Sequence, residues 1–356
     1  MSRFKIVEVA ELKGHDDRAW NIAWNPAKPL LASCSADKTV RLYHYDHATD
    51  SSDLRFTHNT TISTGHTKTV RAVAWSPSGL SLATASFDAN VGIWEQEGGN
   101  EGEGPNAGEW ECASLLEGHE TECKSVAYSS SGTLLASCSR DKTVWVWEVQ
   151  PDADFECLGV LMEHTQDVKC VAWHPHEEIL ASASYDDTIR LYIDDPSDDW
   201  FCFATLKGHD STVWCVSWSP DGRYLASSSD DKTVRIWKRV KEHSWESVLA
   251  ITGHERSVYS ISWGVGKSDD GASLGWLASA SGDGQVIVWE LTKPSDSDTA
   301  PMSSTPPGHS IIAKLEAAHG VYDVNAVSWC PRQGYEDILA TAGDDCSVRV
   351  WKVVAA

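Results

Sequence analysis

Short apolar stretches of five or six residues recur along the chain between polar turns, as in Val213–Trp218, Tyr224–Ser228, Thr233–Lys238 and Ser247–Ile251. They are rich in Val, Ile and Trp, side chains that suit a pleated strand. Hydrophobic and polar positions alternate only weakly within them. That pattern predicts strands covered on both faces rather than a sheet with one wet side. Ser76-Pro77-Ser78-Gly79 and Ser219-Pro220-Asp221-Gly222 carry the residues that set a turn between two strands. The chain therefore reads as all-β.

The strands belong to a repeat, clearest in Gly208-His209 through Leu225-Ala226-Ser227 to Asp231 and Trp237. A turn aspartate precedes an aromatic by six residues seven times: Asp37 to Tyr43, Asp88 to Trp94, Asp141 to Trp147, Asp186 to Tyr192, Asp231 to Trp237, Asp283 to Trp289 and Asp345 to Trp351. Ahead of them stand His15, His66, His119, His164, His209, His254 and His319. The histidine-to-aspartate distance is 22 in the first five repeats, then 29 and 26.

This signature resembles the WD40 repeat, one blade of a β-propeller per unit. Seven units imply a seven-bladed ring treated as a single domain over 1–356, with repeats starting near 15, 66, 119, 164, 209, 254 and 319. Phe4–Leu12 lies before the first repeat and the chain stops just after Trp351. The first strand is therefore expected to complete the last blade and close the ring, leaving no open edge there. Asp46–Arg55, Glu95–Glu109 and Thr292–Ser310 follow third strands, while Gly264–Gly275 and Pro331–Asp337 follow first strands. Both kinds of connection leave a propeller on one face, so the opposite face keeps short, regular turns and is the better candidate for binding.

Composition narrows the picture. Net charge is −23, from 52 acidic and 29 basic side chains, which disfavours nucleic acid and anionic membrane as partners. No apolar run approaches a membrane span, and Met1-Ser2-Arg3-Phe4-Lys5 lacks a signal peptide's apolar core. The expectation is a soluble intracellular protein. The ten cysteines are scattered without a Cys-x-x-Cys pair and read as buried reduced thiols, Cys34, Cys138, Cys170 and Cys215 among them. His174-Pro175-His176 is the one tight histidine pair; the proline is expected to direct the rings apart. No metal site and no cofactor are expected.

The recurring His, Ser and Asp do not read as a hydrolase, since one constellation appears seven times and a nucleophile needs one exposed geometry. In WD40 blades these residues tie the sheet together, a buried aspartate requiring partners. Departures from the pattern, Tyr43 and Tyr192 for Trp, Glu163-His164 and Ala318-His319 for Gly-His, predict weaker or shifted networks.

Two repeat positions project onto the regular face of such propellers. One lies four residues before the aromatic that ends the first strand: Trp20, Arg71, Lys124, Lys169, Trp214, Tyr259 and Asn325. The other precedes the turn aspartate: Ala36, Phe87, Arg140, Tyr185, Asp230, Gly282 and Asp344. Blades two to four thus carry Arg71, Lys124, Arg140 and Lys169, flanked by Phe87, Tyr185 and Trp214, with Glu122 and Asp167 near enough to offset them. A cationic, aromatic sector on an acidic protein suits an acidic peptide with a bulky side chain or a free carboxylate.

Ser86-Phe87-Asp88, Ser139-Arg140-Asp141-Lys142-Thr143-Val144-Trp145-Val146-Trp147-Glu148 and the run from His164-Thr165-Gln166-Asp167-Val168-Lys169 to Tyr185-Asp186-Asp187 narrow the resemblance. They resemble the WD40 proteins of cytosolic iron–sulfur protein assembly, the propeller subunits of its targeting complex. The resemblance implies a non-enzymatic adaptor, cytoplasmic and compatible with the nucleus. Implied partners are a MIP18-family protein, a large HEAT-repeat scaffold and iron–sulfur apoprotein clients, some ending in acidic–aromatic tails. Arg140 occupies the position of the family's functionally important third-blade arginine. The Leu-Tyr-Arg tripeptide of some iron–sulfur partners is absent, Leu42-Tyr43-His44 and Leu191-Tyr192-Ile193 being nearest, so the resemblance does not carry a co-chaperone docking motif. The rival reading is a peptide-binding propeller of another pathway, a ubiquitin-ligase substrate receptor or chromatin reader.

Overall fold

The structure is a computed structural model that describes residues 3–47, 54–96, 108–195, 199–267, 271–294 and 305–356. Its strands form seven four-stranded antiparallel sheets set as the blades of a propeller. A single 3-10 turn at Pro151–Ala153 is the one helical element among the described residues.

The fifth blade shows how sequence makes the unit. Val213–Trp218, Tyr224–Ser229, Thr233–Lys241 and Ser244–Thr252 pair in chain order. The outer two strands run longer than their apolar stretches predict and meet at a tight turn, Glu242-His243. Buried Trp245 accounts for the extension: its ring meets Trp218 edge-on at 5.3 Å, and its backbone pairs with Arg239. Five of the seven second strands are buried at every residue, as in Leu134–Ser139 and Ile179–Ser184, and the other two at every residue but the first. Weak alternation follows from this, because each blade packs against a neighbour on both sides.

Blades are stitched together along the inner strands. The indole N–H of Trp75, Trp173 and Trp218 donates to Ala23, Ala127 and Ala172 carbonyls of the preceding blade at 3.0–3.1 Å. Trp24 makes the same bond to Ser328 O, 3.0 Å, across the seam between last and first blades. Phe4–Leu12 closes that seam from outside, pairing from Phe4 with Ala355 to Leu12 with Val348. Arg3 adds an ion pair to buried Glu290 at 2.9 Å, and Phe4 packs edge-on to Trp276 at 5.2 Å.

Within blades, the recurring polar residues form a relay. In the fifth, Trp237 Nε1–H donates to Ser227 Oγ at 2.8 Å. Ser227 Oγ lies 2.7 Å from His209 Nε2, and His209 Nδ1–H donates to Asp231 at 2.7 Å. The carboxylate accepts, so Nδ1 carries the proton and Nε2 is free to accept the serine hydroxyl. The histidine–aspartate bond recurs in all seven blades, with His15–Asp37, His66–Asp88, His119–Asp141, His164–Asp186, His254–Asp283 and His319–Asp345.

The departures act unevenly. Tyr substitution does weaken the relay: Tyr192 Oη is 3.4 Å from Ser182 Oγ, and buried Tyr43 Oη has no hydrogen-bond partner. Loss of the glycine before histidine does not. His164 and His319 bond their aspartates at 2.8 and 2.7 Å, as short as any. The longer, forked bonds are His66–Asp88 and His254–Asp283, at 3.0–3.3 Å. There the residue two beyond the aspartate is Asn90 or Gln285 rather than Thr or Ser. In the other blades that hydroxyl donates to the aspartate, as Thr143 does to Asp141 at 2.6 Å, and fixes the carboxylate rotamer.

Two further expectations are corrected. Cys34, Cys123, Cys138 and Cys330 are buried, but Cys112 and Cys157 are exposed and Cys170 and Cys215 only partly covered. Cys112 and Cys157 sit on outermost strands, where one face meets solvent. The rings of His174 and His176 do not diverge; they meet edge to face at 6.1 Å, because both Nε2 atoms bond backbone carbonyls of the Pro220–Gly222 turn. Among the insertions, Pro331–Asp337 is fully described, whereas 48–53, 97–107, 268–270 and 295–304 lie outside the described residues.

Candidate functional site

In an antiparallel meander, the turns before the first strand and after the second emerge on one face. That face carries every histidine and turn aspartate of the relay.

A β-bulge positions the first set of side chains. In all seven blades the pairing register of the inner strand shifts across its second residue, as between Val70 and Ala72 or Val168 and Cys170. The skipped residues are Trp20, Arg71, Lys124, Lys169, Trp214, Tyr259 and Asn325. A bulge adds twist and re-aims the side chain it skips; here it turns one residue per blade toward the axial mouth. A backbone bond holds the second set. The N–H of Phe87, Arg140, Tyr185 and Asp230 donates to Thr69, Glu122, Asp167 and Thr212 O at 2.8–3.0 Å. Their side chains thus start from fixed backbone, each beside the residue just ahead of its own inner strand.

Arg71, Lys124, Lys169, Arg140, Phe87, Tyr185 and Trp214 come together over blades two to five. Lys124 Nζ sits 4.2 Å from the Phe87 ring centre. Lys169 Nζ lies between Tyr185 and Trp214, at 5.3 and 5.1 Å. Arg71 stacks 4.8 Å from Trp20. Such pairs attract through the ring quadrupole, at about 0.5–2 kcal/mol each depending on desolvation.

Two carboxylates join the cations. Glu122 pairs with both Lys124 and Arg140, and Asp167 with Lys169 at 3.3 Å and Arg140 at 4.0 Å. Burial works against ionising Glu122, yet Lys124 and Arg140 outweigh it and hold its carboxyl below the ordinary glutamate value. Burial also pulls the Lys124 ammonium below its usual value, with Glu122 opposing. Four cations against two carboxylates leave the sector positive. Lys124 and Lys169 are sunk, 13% and 12% exposed, whereas Arg140 stands out at 58%. Their partners hold the Arg140 guanidinium between two blades, with donors still facing solvent. Tyr185 beside it is 55% exposed.

Other residues of the same face escaped the sequence reading. Arg18 pairs with Asp344 at 3.5 Å and Arg256 with Asp323 at 3.5 Å, across blades one, six and seven. Arg18, Arg256 and Asp323 lie just ahead of inner strands, at positions that the two repeat columns do not sample, whereas Asp344 belongs to the second column. Trp214 donates to Asp230 at 2.6 Å and meets Tyr259 edge-on at 5.4 Å, linking the positive sector to this paired rim.

Repeats, relay and ring define a class. The WD domain, G-beta repeat family matches at 6–44, 57–95, 110–148, 155–192, 200–238, 245–290 and 310–352, and the chain belongs to it. Its relatives are more particular. A protein of Mycosarcoma maydis called probable cytosolic iron-sulfur protein assembly protein 1 is 51% identical over 173 residues, 41% of this chain and 38% of that protein. Proteins of the same name are 45% identical over 182 residues in Cryptococcus neoformans, 42% and 41% of the two chains, and 58% over 106 residues in Malassezia globosa, 29% and 30%. The matched stretches span about two fifths or less of those curated relatives' length.

Proposed function

We propose that this protein is a non-enzymatic scaffold of cytosolic iron–sulfur protein assembly that captures client tails on the face bearing Arg140. The observation that carries this reading is an exposed guanidinium held between two carboxylates amid sunk lysines and aromatic rings. It stands on a chain resembling proteins named for that assembly. Mechanism is presentation by a rigid frame. The bulges and backbone bonds fix the cations before a ligand arrives, so little ordering entropy is lost on binding. Arg140 offers a planar fork to a carboxylate, and Tyr185 and Phe87 offer faces to a bulky side chain. The seven relays serve as ties, each histidine and its serine or threonine being committed to partners within its blade.

A MIP18-family protein and a HEAT-repeat scaffold would occupy other blade edges, and apoprotein clients this face. The setting is the cytoplasm, with nuclear clients within reach. Affinity purification from cells followed by mass spectrometry tests the partner set. Recovery of ubiquitin-ligase subunits or histones, without iron–sulfur proteins, would refute it. Titration of the Arg140→Glu protein with an acidic–aromatic peptide tests the face. An affinity loss of about 30-fold or more is expected, with an unchanged melting temperature. Unchanged affinity would reject the site.

A further inference from the structure

Beneath the cationic face, the inner strands carry a second cluster with its own chemistry. The residue at which pairing resumes after each bulge reaches toward the next blade. Ser125 Oγ accepts the Val171 N–H at 3.4 Å, and Ser260 Oγ accepts the Val327 N–H at 3.1 Å. A side chain as short as serine therefore spans the gap between neighbouring inner strands. In blades four and five this residue is a cysteine, Cys170 and Cys215. By the same reach Cys170 meets the Val216 N–H, one residue along the strand from Cys215, and the two thiols are hydrogen-bonded to each other. The Ile261 carbonyl, 3.6 Å from Cys215 Sγ, is the alternative acceptor for the Cys215 S–H.

Arg71 adds a charge to this setting. Lys124, Arg140 and Lys169 share two carboxylates, whereas the close partner of Arg71 is the Trp20 ring. Burial pulls its guanidinium below the ordinary arginine value, and the charges set against that pull are thiols: Cys34, Cys170, Cys215 and Cys138. An arginine nevertheless stays charged in proteins. Burial pushes Cys34 up to about 12 and Cys138 well above its ordinary value, while the bond to Cys170 raises Cys215. Cys170 is the one of the four that moves down. Cys215 holds it there first, then, against burial, the Val216 N–H, the Ser125 hydroxyl and Arg71. A thiolate near a cation and open to small molecules is the reactive form of cysteine. Both Cys170 and Cys215 are partly exposed although they stand on inner strands, so a water-sized molecule reaches them. Cys112 and Cys157 are more exposed, yet partial burial raises both thiols.

We infer that Cys170 and Cys215 are an oxidisable pair, which hydrogen peroxide closes into a disulfide between blades four and five. The Cys170 thiolate attacks one peroxide oxygen; an S–O bond forms, the O–O bond breaks, and the departing hydroxide takes up a proton to leave as water. Cys170 is then a sulfenic acid. Cys215 sulfur attacks Cys170 sulfur; the S–S bond forms, the S–O bond breaks, and the hydroxide leaves as water with the proton that Cys215 gives up. The thiols are oxidised and both peroxide oxygens end as water. This part stands without the peptide-binding reading. Its consequence rests on that reading: Lys169 and Trp214 directly precede the two cysteines, with the ammonium 5.1 Å from the indole ring. Closing the bond draws the sulfurs from hydrogen-bond contact to covalent distance, and with them two residues of the face.

The test treats the full chain with a small excess of hydrogen peroxide, blocks free thiols with N-ethylmaleimide and digests without reductant for mass spectrometry. The Cys170 and Cys215 peptides should appear joined, lighter by a pair of hydrogens and separated again by dithiothreitol, before Cys112 or Cys157 is oxidised. Cys215→Ser should stop at a Cys170 sulfenic acid that dimedone traps, and Cys170→Ser should leave Cys215 unlabelled. Arg71→Gln should slow the reaction by about 3- to 10-fold. Oxidation of Cys112 and Cys157 while Cys170 and Cys215 remain free overturns the inference, and so does equal dimedone labelling in the two serine variants. The wild-type measurement needs no variant, so a misfolded one would not spare the proposal. An acidic–aromatic peptide should bind reduced and oxidised wild-type protein with affinities differing by about 3-fold or more, a difference that dithiothreitol removes and Cys215→Ser lacks. Equal affinities overturn the link to the face and leave the oxidisable pair standing. Binding to neither form overturns the peptide-binding reading, and the joined peptides then decide the pair by themselves.

Discussion

At the scale of single residues, the blade relay shows how unequal seven copies of one motif can be. Trp237 gives Ser227 a hydrogen bond at 2.8 Å, whereas the buried Tyr43 hydroxyl gives none. An unbonded buried hydroxyl contributes a desolvation cost and nothing in return. Tyr43→Phe is therefore expected to change stability by less than about 0.5 kcal/mol, or to raise it slightly. Trp237→Phe loses the bond and leaves space against the fourth blade, and should cost about 2–4 kcal/mol. Urea melts of the two variants check the contrast; equal losses would mean that the relay ends at the serine in every blade. The tyrosine difference was legible in the sequence, because a phenol and an indole place their polar atoms differently. The indifference to Glu163 and Ala318 was not. What decides the histidine–aspartate bond is the hydroxyl two residues past the aspartate, a local contact visible only once the turn is folded.

At the scale of elements, the closing strand carries the sharpest expectation. Phe4–Leu12 covers the edge of Val348–Ala355, and Glu8 and Glu11 hold Arg349 at 3.3 and 2.9 Å. Deleting residues 1–12 should expose that edge, lower the melting temperature by about 10 °C or more, and promote association through the freed strand. Circular dichroism and gel filtration check it, and a synthetic peptide of residues 3–12 added in trans should restore part of the loss. A deletion that melts like the full chain would mean the ring closes by its inner strands alone, through bonds such as Trp24 to Ser328. Strand order could be read from repeat spacing, since the spacing is set by strand length and turn chemistry; ring closure and the two outward columns followed from the resemblance to WD40 propellers. The bulge could be read from neither, though it turns out to aim one column; the extra residue it sets on the inner strand against its partner appears only in the pairing. Partner choice was half-legible. Glu122 and Asp167 stood near the cations in sequence, but Arg140 bridging both, and Arg71 touching neither, depend on how adjacent blades lie.

At the scale of the whole molecule, two properties sum over the ring. The first is acid sensitivity. Burial opposes ionisation of Asp283 and Asp345, but their histidines hold both at about 2, against 3.8 ordinarily. Asp37, Asp141, Asp186 and Asp231 are driven lower still. As pH falls, the unfolded chain takes up these protons first, so the stability they lend is whole above about pH 4 and drains toward pH 2 and below. Melting temperature against pH should fall steeply over that window. A flat profile would deny the relay its role.

The second property is the field. The chain carries −23, yet the proposed site is locally positive. The two act at different ranges. At about 0.01 M ionic strength the screening length is about 30 Å, so an approaching acidic peptide feels the whole acidic ring; at about 0.15 M it is about 8 Å, and only the cationic sector is felt. Salt should therefore speed the association of an acidic–aromatic peptide, by roughly 3- to 10-fold between those conditions. Dissociation, governed by short contacts with sunk cations, should change less. A basic peptide should show the opposite slope in its association rate. Stopped-flow fluorescence measures both. An acidic peptide whose association slows steadily with salt would mean that the sector's own field dominates at every distance, and that the acidic blades do nothing to select what arrives.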